Sequence, residues 1–216
     1  MYEKEIQVKI SEKPLNGNPS PVVTLVFSIL CFVFWANYMG YLKEGSILAI
    51  GVLQIGVFPI YIIGAIILFT RGNDFAGNVF AIFATAFGSA AGLTHVLMIL
   101  SLTHGIPFDY TICGILFTII GACLLLILPG LRYASKVDFL IFLFGGLGVM
   151  FAGLSGAMSV PAYFPLLAGW FLFIDGCVGI YSFLSGMLGF CGLNIPTGKP
   201  FFSLPEAPKS SAVAVK

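Results

Sequence analysis

Long apolar runs separated by short polar links dominate the chain. Six runs, near 21–42, 47–69, 78–101, 111–130, 139–159 and 163–190, contain one charged residue between them, Asp175. The breaks fall at Lys43-Glu44, Arg71-Gly-Asn-Asp74, His104-Gly-Ile-Pro-Phe-Asp109, Arg132 to Asp138 and Pro161. A helix rises about 1.5 Å per residue and the hydrocarbon core is roughly 30 Å thick, so about 20 apolar residues make one crossing. Each run therefore predicts one membrane-spanning helix, and the short links make neighbours antiparallel. A transmembrane β-barrel would need segments of about ten residues alternating apolar and polar, whereas Ile112 to Leu128 runs without any charge. The expected fold is an all-α integral membrane protein with six transmembrane helices.

Composition excludes a water-soluble globule. Of the 216 residues 59% are apolar and 9% charged, against about 25% charged in soluble domains. Six charges lie in residues 1–13 and four in 199–216, leaving nine for residues 14–198. This divides the chain into an N-terminal tail at 1–17, a membrane domain at 18–198 and a C-terminal tail at 199–216. Residues 1–20 carry both charge signs, two prolines and no apolar run, so a cleaved signal peptide is not expected.

With both termini cytoplasmic, that side receives Lys4, Lys9, Lys13, Arg71, Arg132, Lys136, Lys199, Lys209 and Lys216, and the outside keeps only Lys43. The asymmetry predicts this orientation, in a multi-pass protein of the cell membrane. A net charge of +1 argues against a nucleic-acid partner. Five cysteines, an odd number with no CxxC pair, read as small buried hydrophobes rather than disulfide or zinc chemistry. No metal or cofactor is expected.

The polar exceptions inside the runs are the candidate chemistry. Asp175 lies near the middle of the sixth run, where an ionised aspartate costs on the order of 2.5–3.5 kcal/mol on insertion scales. It is read either as a proton site or as a neutral acid bonded to a neighbouring helix. His95 in the third run titrates near neutrality if water reaches it, or else bonds a neighbour, as does Gln54 by default. Asn18, Pro19 and Pro21 lead into the first run: either a rigid capped helix start, or free amides that favour an anion. Glycine clusters at Gly88 to Gly92 and Gly153 to Gly156 predict close helix packing; a narrow path between helices is the other reading.

One motif suggests an enzyme. Gly153-Leu-Ser-Gly156 matches the GxSG of rhomboid-type proteases, whose serine needs a histidine from a later helix, and none follows position 104. No enzyme is expected.

Spaced motifs carry a resemblance. Asn18-Pro19-Ser20-Pro21 precedes Phe27, and Gly40-Tyr41 closes the first run. Gly72-Asn-Asp-Phe-Ala76 leads to Phe80 and Phe83. Ala168-Gly169-Trp170, Gly176 and Ile180-Tyr181 mark the sixth run, and Ile195-Pro-Thr-Gly198 ends the core. In this order they resemble the acetate uptake transporter family, also called succinate–acetate permeases, over residues 18–198. Val22-Val23-Thr24 departs from the family's Leu-Gly-Leu, Phe83 stands where a tyrosine is usual, and Asp175 where a small residue is.

The resemblance implies a homohexamer of six-helix protomers, each passing small carboxylates together with protons. It also implies a hydrophobic constriction, which maps to Phe27, Phe83 and Phe144. The expected function is thus a transporter or channel for acetate and related monocarboxylates, with succinate a further substrate, energetically linked to protons through Asp175 or His95. Two alternatives stand beside it. One is a neutral-solute channel resembling the urea and amide channels, and the other a non-transporting sensor or structural protein.

Overall fold

The structure, a computed structural model, describes residues 17–202. Most of the two expected tails, with Lys4, Lys9, Lys13, Lys209 and Lys216 of the charge comparison, lies outside the described residues.

Six helical spans occur, with no strand among the described residues: α1 (Ser20–Tyr38), α2 (Ser46–Thr70), α3 (Asp74–His104), α4 (Thr111–Leu126), α5 (Lys136–Ala157) and α6 (Tyr163–Phe190). Five are long and apolar enough to cross a membrane; α4, with 16 residues, is shorter. The fourth run was expected to reach 130. Pro129 lacks an N–H and disfavours helical backbone at Leu128, so the α-helix ends at Leu126 and a 3-10 turn, Leu128–Leu131, completes the segment.

Local chemistry sets the helix ends. Gly105, at φ +67°, closes α3 in the left-handed region that favours glycine. Asn73 caps α3 by accepting from the Ala76 amide at 3.2 Å, and Ser135 caps α5 by accepting from the Asp138 amide at 3.1 Å. At the start of α4 the exposed Asp109 accepts from the Thr111 amide at 2.9 Å, and these Thr111 hydrogen bonds hold its carboxyl below the usual range. Within α3 the backbone widens into a π-helical stretch, Ala84–Ala90, a feature concentrated at functional sites.

Packing joins α4 to α5, α5 to α6, α6 to α1, and α2 to α3. Small residues make the close approaches, as expected in lipid, where association depends on packing rather than on water exclusion. A methyl added at Gly121 would lie 2.7 Å from the Gly146 carbonyl oxygen, and one at Gly153 2.7 Å from that of Gly114. Of the two predicted clusters, Gly88 and Gly92 face Phe58 and Gly51 of α2, and Gly153 and Gly156 face α4.

Beyond α6 the chain turns back along the bundle end. The Tyr181 hydroxyl donates to Pro196 O at 2.7 Å and that of Ser185 to Ile195 O at 2.9 Å. The Val137 amide donates to Thr197 O at 3.2 Å, and Phe201 stands edge-on to Phe139 at 4.8 Å. Residues 195–201 thus tie the end of α6 to the start of α5.

Candidate functional site

Three phenylalanines close the middle of the bundle. Phe27 of α1 stacks on Phe83 of α3 with ring centroids 5.0 Å apart; Phe87, one turn further along α3, lies 5.1 Å from Phe83 and 6.2 Å from Phe27. Tyr61 of α2 meets Phe83 edge-on at 6.0 Å. All four are buried. Aromatic rings in offset and edge contacts at these spacings attract one another beyond simple burial, so the cluster is a cohesive plug.

Phe27 separates two spaces. On the side of the α1 N-terminus a cavity of about 330 Å³ has Ser20, Thr24, Asn73 and Asp138 among its polar lining, with Phe80 and Phe83 on its apolar wall. Across the ring a cavity of about 30 Å³, room for about one water molecule, is lined by Cys31, Phe34, Tyr38, Phe117 and Leu172 among others. Among the described residues, no lysine, arginine or histidine lines either space. The larger space has a polar mouth and an apolar floor, and the smaller is almost wholly apolar.

The sequence-predicted residues divide. The structure brings Phe27 and Phe83 together, whereas the lead-in residues act on the helix start. Asn18 is exposed, its Oδ1 accepting from the Ser20 amide at 3.1 Å, and Pro21 is buried against Gly186. Pro19 occupies the N-cap position of α1. None of these three lines a cavity; Ser20 does. Phe144 stacks on Phe171 of α6 at 6.3 Å and lines neither space. Its neighbour Gly145 faces the plug instead, since a methyl there would lie 3.5 Å from Phe27 Cζ. Phe87 was missed, although its place four residues after Phe83 on one helix was the available signal. Ser155 donates to Phe151 O at 2.8 Å within its own helix.

His95 and Asp175 are both buried. His95 is 2% exposed, with Nδ1 2.6 Å from Gln54 Oε1 and Nε2 2.8 Å from the Tyr110 hydroxyl. With Oε1 as the acceptor, Nδ1 carries the proton and Nε2 accepts from Tyr110, so a neutral imidazole is satisfied on both sides. Asp175 is 0% exposed. Its Oδ2 accepts from the Cys31 thiol at 3.5 Å, and its Oδ1 has no hydrogen-bond partner among the described residues. The same added methyl at Gly145 would lie 2.7 Å from Asp175 Oδ2, so the carboxyl and the Phe27 ring tip approach the same point on α5.

Among solved structures, the bacterial acetate channel SatP matches with a TM-score of 0.67 and 20% identity, over 82% of this chain and 94% of the channel. The chain has the SatP fold. No protein-family model matches the sequence, and no curated protein sequence does. The likeness to SatP covers nearly the whole of that channel and, with five helices long and apolar enough to cross a membrane, supports a multi-pass membrane protein. It agrees with the resemblance carried by the sequence motifs.

Proposed function

We propose that this chain conducts acetate and similar small carboxylates across the cell membrane as a member of the acetate uptake transporter family. The observation that carries the reading is that one ring, Phe27, partitions two cavities in a bundle with the fold of SatP, described as an acetate channel. A constriction of large apolar side chains closes by excluding water. An ionised carboxylate loses its hydration there at high cost, while the protonated acid crosses cheaply. Passage is accordingly linked to protons; of the two coupling candidates, Asp175 with its unpartnered Oδ1 is favoured over His95, whose ring nitrogens both have partners.

Asn18, Pro19 and Pro21 serve by fixing the start of α1 at the rim of the larger cavity. Phe144 supports the turn of α5 that presents Gly145. Because Arg71, Arg132, Lys136 and Lys199 lie at the end of the larger cavity and Lys43 at the other, the charge bias makes that cavity, and both termini, cytoplasmic. Succinate, longer and doubly charged, is a poorer substrate, and the assembly is a homohexamer. The protein is a transporter and not an enzyme.

The test is uptake of labelled acetate into liposomes holding the purified protein. Wild type should exceed empty vesicles, and Phe27→Ala should raise flux several-fold by opening the plug; flux equal to empty vesicles, or unaltered by Phe27→Ala, refutes the reading. The linings of both cavities, which among the described residues hold no cationic side chain, favour a second reading, a neutral-solute channel. Osmotic swelling with urea but not with acetate would select it.

A further inference from the structure

Asp175 holds a feature that transport of a weak acid does not require. An ionised carboxylate in an apolar interior is sustained by a cation or by several donors. Here the facing groups from each packed helix are few. α1 presents the Cys31 thiol, a weak donor, on Oδ2. α2 brings to the same core the Tyr61 phenol, edge-on to Phe83, whose oxygen is itself without a hydrogen-bond partner among the described residues. α5 presents Gly145, which has no side chain. No lysine, arginine or histidine is among these groups. Oδ1, fully buried and unpartnered, is the atom that can carry a proton.

The carboxyl is also placed to sense the plug. One point on α5, the Cβ direction of Gly145, is within 2.7 Å of Oδ2 and 3.5 Å of the Phe27 ring tip. Cys31, its hydrogen-bond partner, lines the small cavity on the far side of Phe27. Water admitted past Phe27 into that cavity therefore meets Cys31, the donor on Asp175 Oδ2.

We propose that Asp175 is the proton-binding site of the gate, protonated while the space around Phe27 is dry and ionised when water fills it. In the opening step the carboxyl O–H bond breaks, its electron pair stays on Asp175, and the proton passes to the entering water. Closing reverses each transfer. Because hydration stabilises the carboxylate and the carboxylate holds the water, proton release and opening favour each other by the same factor. The inference rests on the transport reading for its purpose, though its readout does not.

Osmotic water permeability of protein-bearing vesicles, measured from about pH 5 to about pH 9, reports wetting without a titrating solute. Wild type should rise several-fold through one transition, while Asp175→Asn, an amide of the same shape that cannot ionise, should stay low and flat. Equal pH profiles in the two proteins overturn the proposal. If Asp175→Asn does not fold, Cys31→Ala, which removes the donor on Oδ2, decides: a displaced midpoint supports the proposal and an unmoved one overturns it. Acetate flux in the same vesicles separates the two failures. Flux without an Asp175-dependent transition sinks only the proton site, and no flux above empty vesicles sinks the transport reading.

Discussion

His95 and Asp175 look alike in the sequence, each a lone titratable side chain inside an apolar run, and both are buried at 2% exposure or less. Their partners make them different. His95 has a neighbour on each ring nitrogen, supplied by α2 and by the residue that opens α4, and in that setting it works as a strut between three segments. Asp175 has a weak donor on one oxygen and nothing on the other, beside the one ring that divides the cavities. Burial alone thus does not mark a proton site. What distinguishes one is an unspent hydrogen-bonding valence next to a space that water can enter.

Substitutions can break or sharpen this contrast. The largest loss of stability is expected from His95→Leu, which strands Gln54 Oε1 and the Tyr110 hydroxyl in the interior at a cost of roughly 2–4 kcal/mol. Thermal unfolding in detergent should shift down by several degrees with the pH profile of water permeability intact; loss of the pH transition would erase the distinction between the two residues. Gly145→Ala comes next. Its methyl must displace the Asp175 carboxyl, 2.7 Å away, while the Phe27 ring at 3.5 Å is only in ordinary contact; the cost is about 1–3 kcal/mol, and acetate flux should change several-fold in consequence. An unaltered flux would show that the carboxyl and the ring move independently.

Tyr110→Phe removes one hydrogen bond to His95 and should cost about 1 kcal/mol, read from the same melting curves, without touching flux. Asp175→Asn should alter thermal stability least, within about 0.5 kcal/mol, because the amide oxygen still accepts from Cys31 and the other position was unpartnered already. A loss well above that would make Asp175 a strut like His95.

Much of the architecture was legible because lipid imposes a length. Runs of about 20 apolar residues have few alternatives, and Gly105, Asn73 and Ser135 punctuate them by known chemistry. Where the reading of α4 ran long, a single proline accounts for it. The site was harder. Phe27 and Phe83 emerged through the motif resemblance and do meet, but in a chain with 22 phenylalanines the four-residue step from Phe83 to Phe87 is a weak local signal. Phe144 and Gly145 show how fine the margin is, since one residue turns a helix by about 100° and exchanges the α6 side for the plug. The contact between Cys31 and Asp175 spans 144 positions and has no local signature at all.

The glycine seam between α4 and α5 has a consequence for heredity. Gly114, Gly121 and Gly153 each face backbone at a separation that excludes even a methyl group, and a methyl at Gly146 would meet the Leu125 side chain at 2.9 Å and the Gly121 carbonyl oxygen at 3.2 Å. Any change in the first or second base of a glycine codon adds a side chain, so nearly every missense allele at these four positions should push the two helices apart. Variation among natural alleles and the outcome of random mutagenesis should therefore be silent along this seam, and concentrated instead on the lipid-facing side of the same helices.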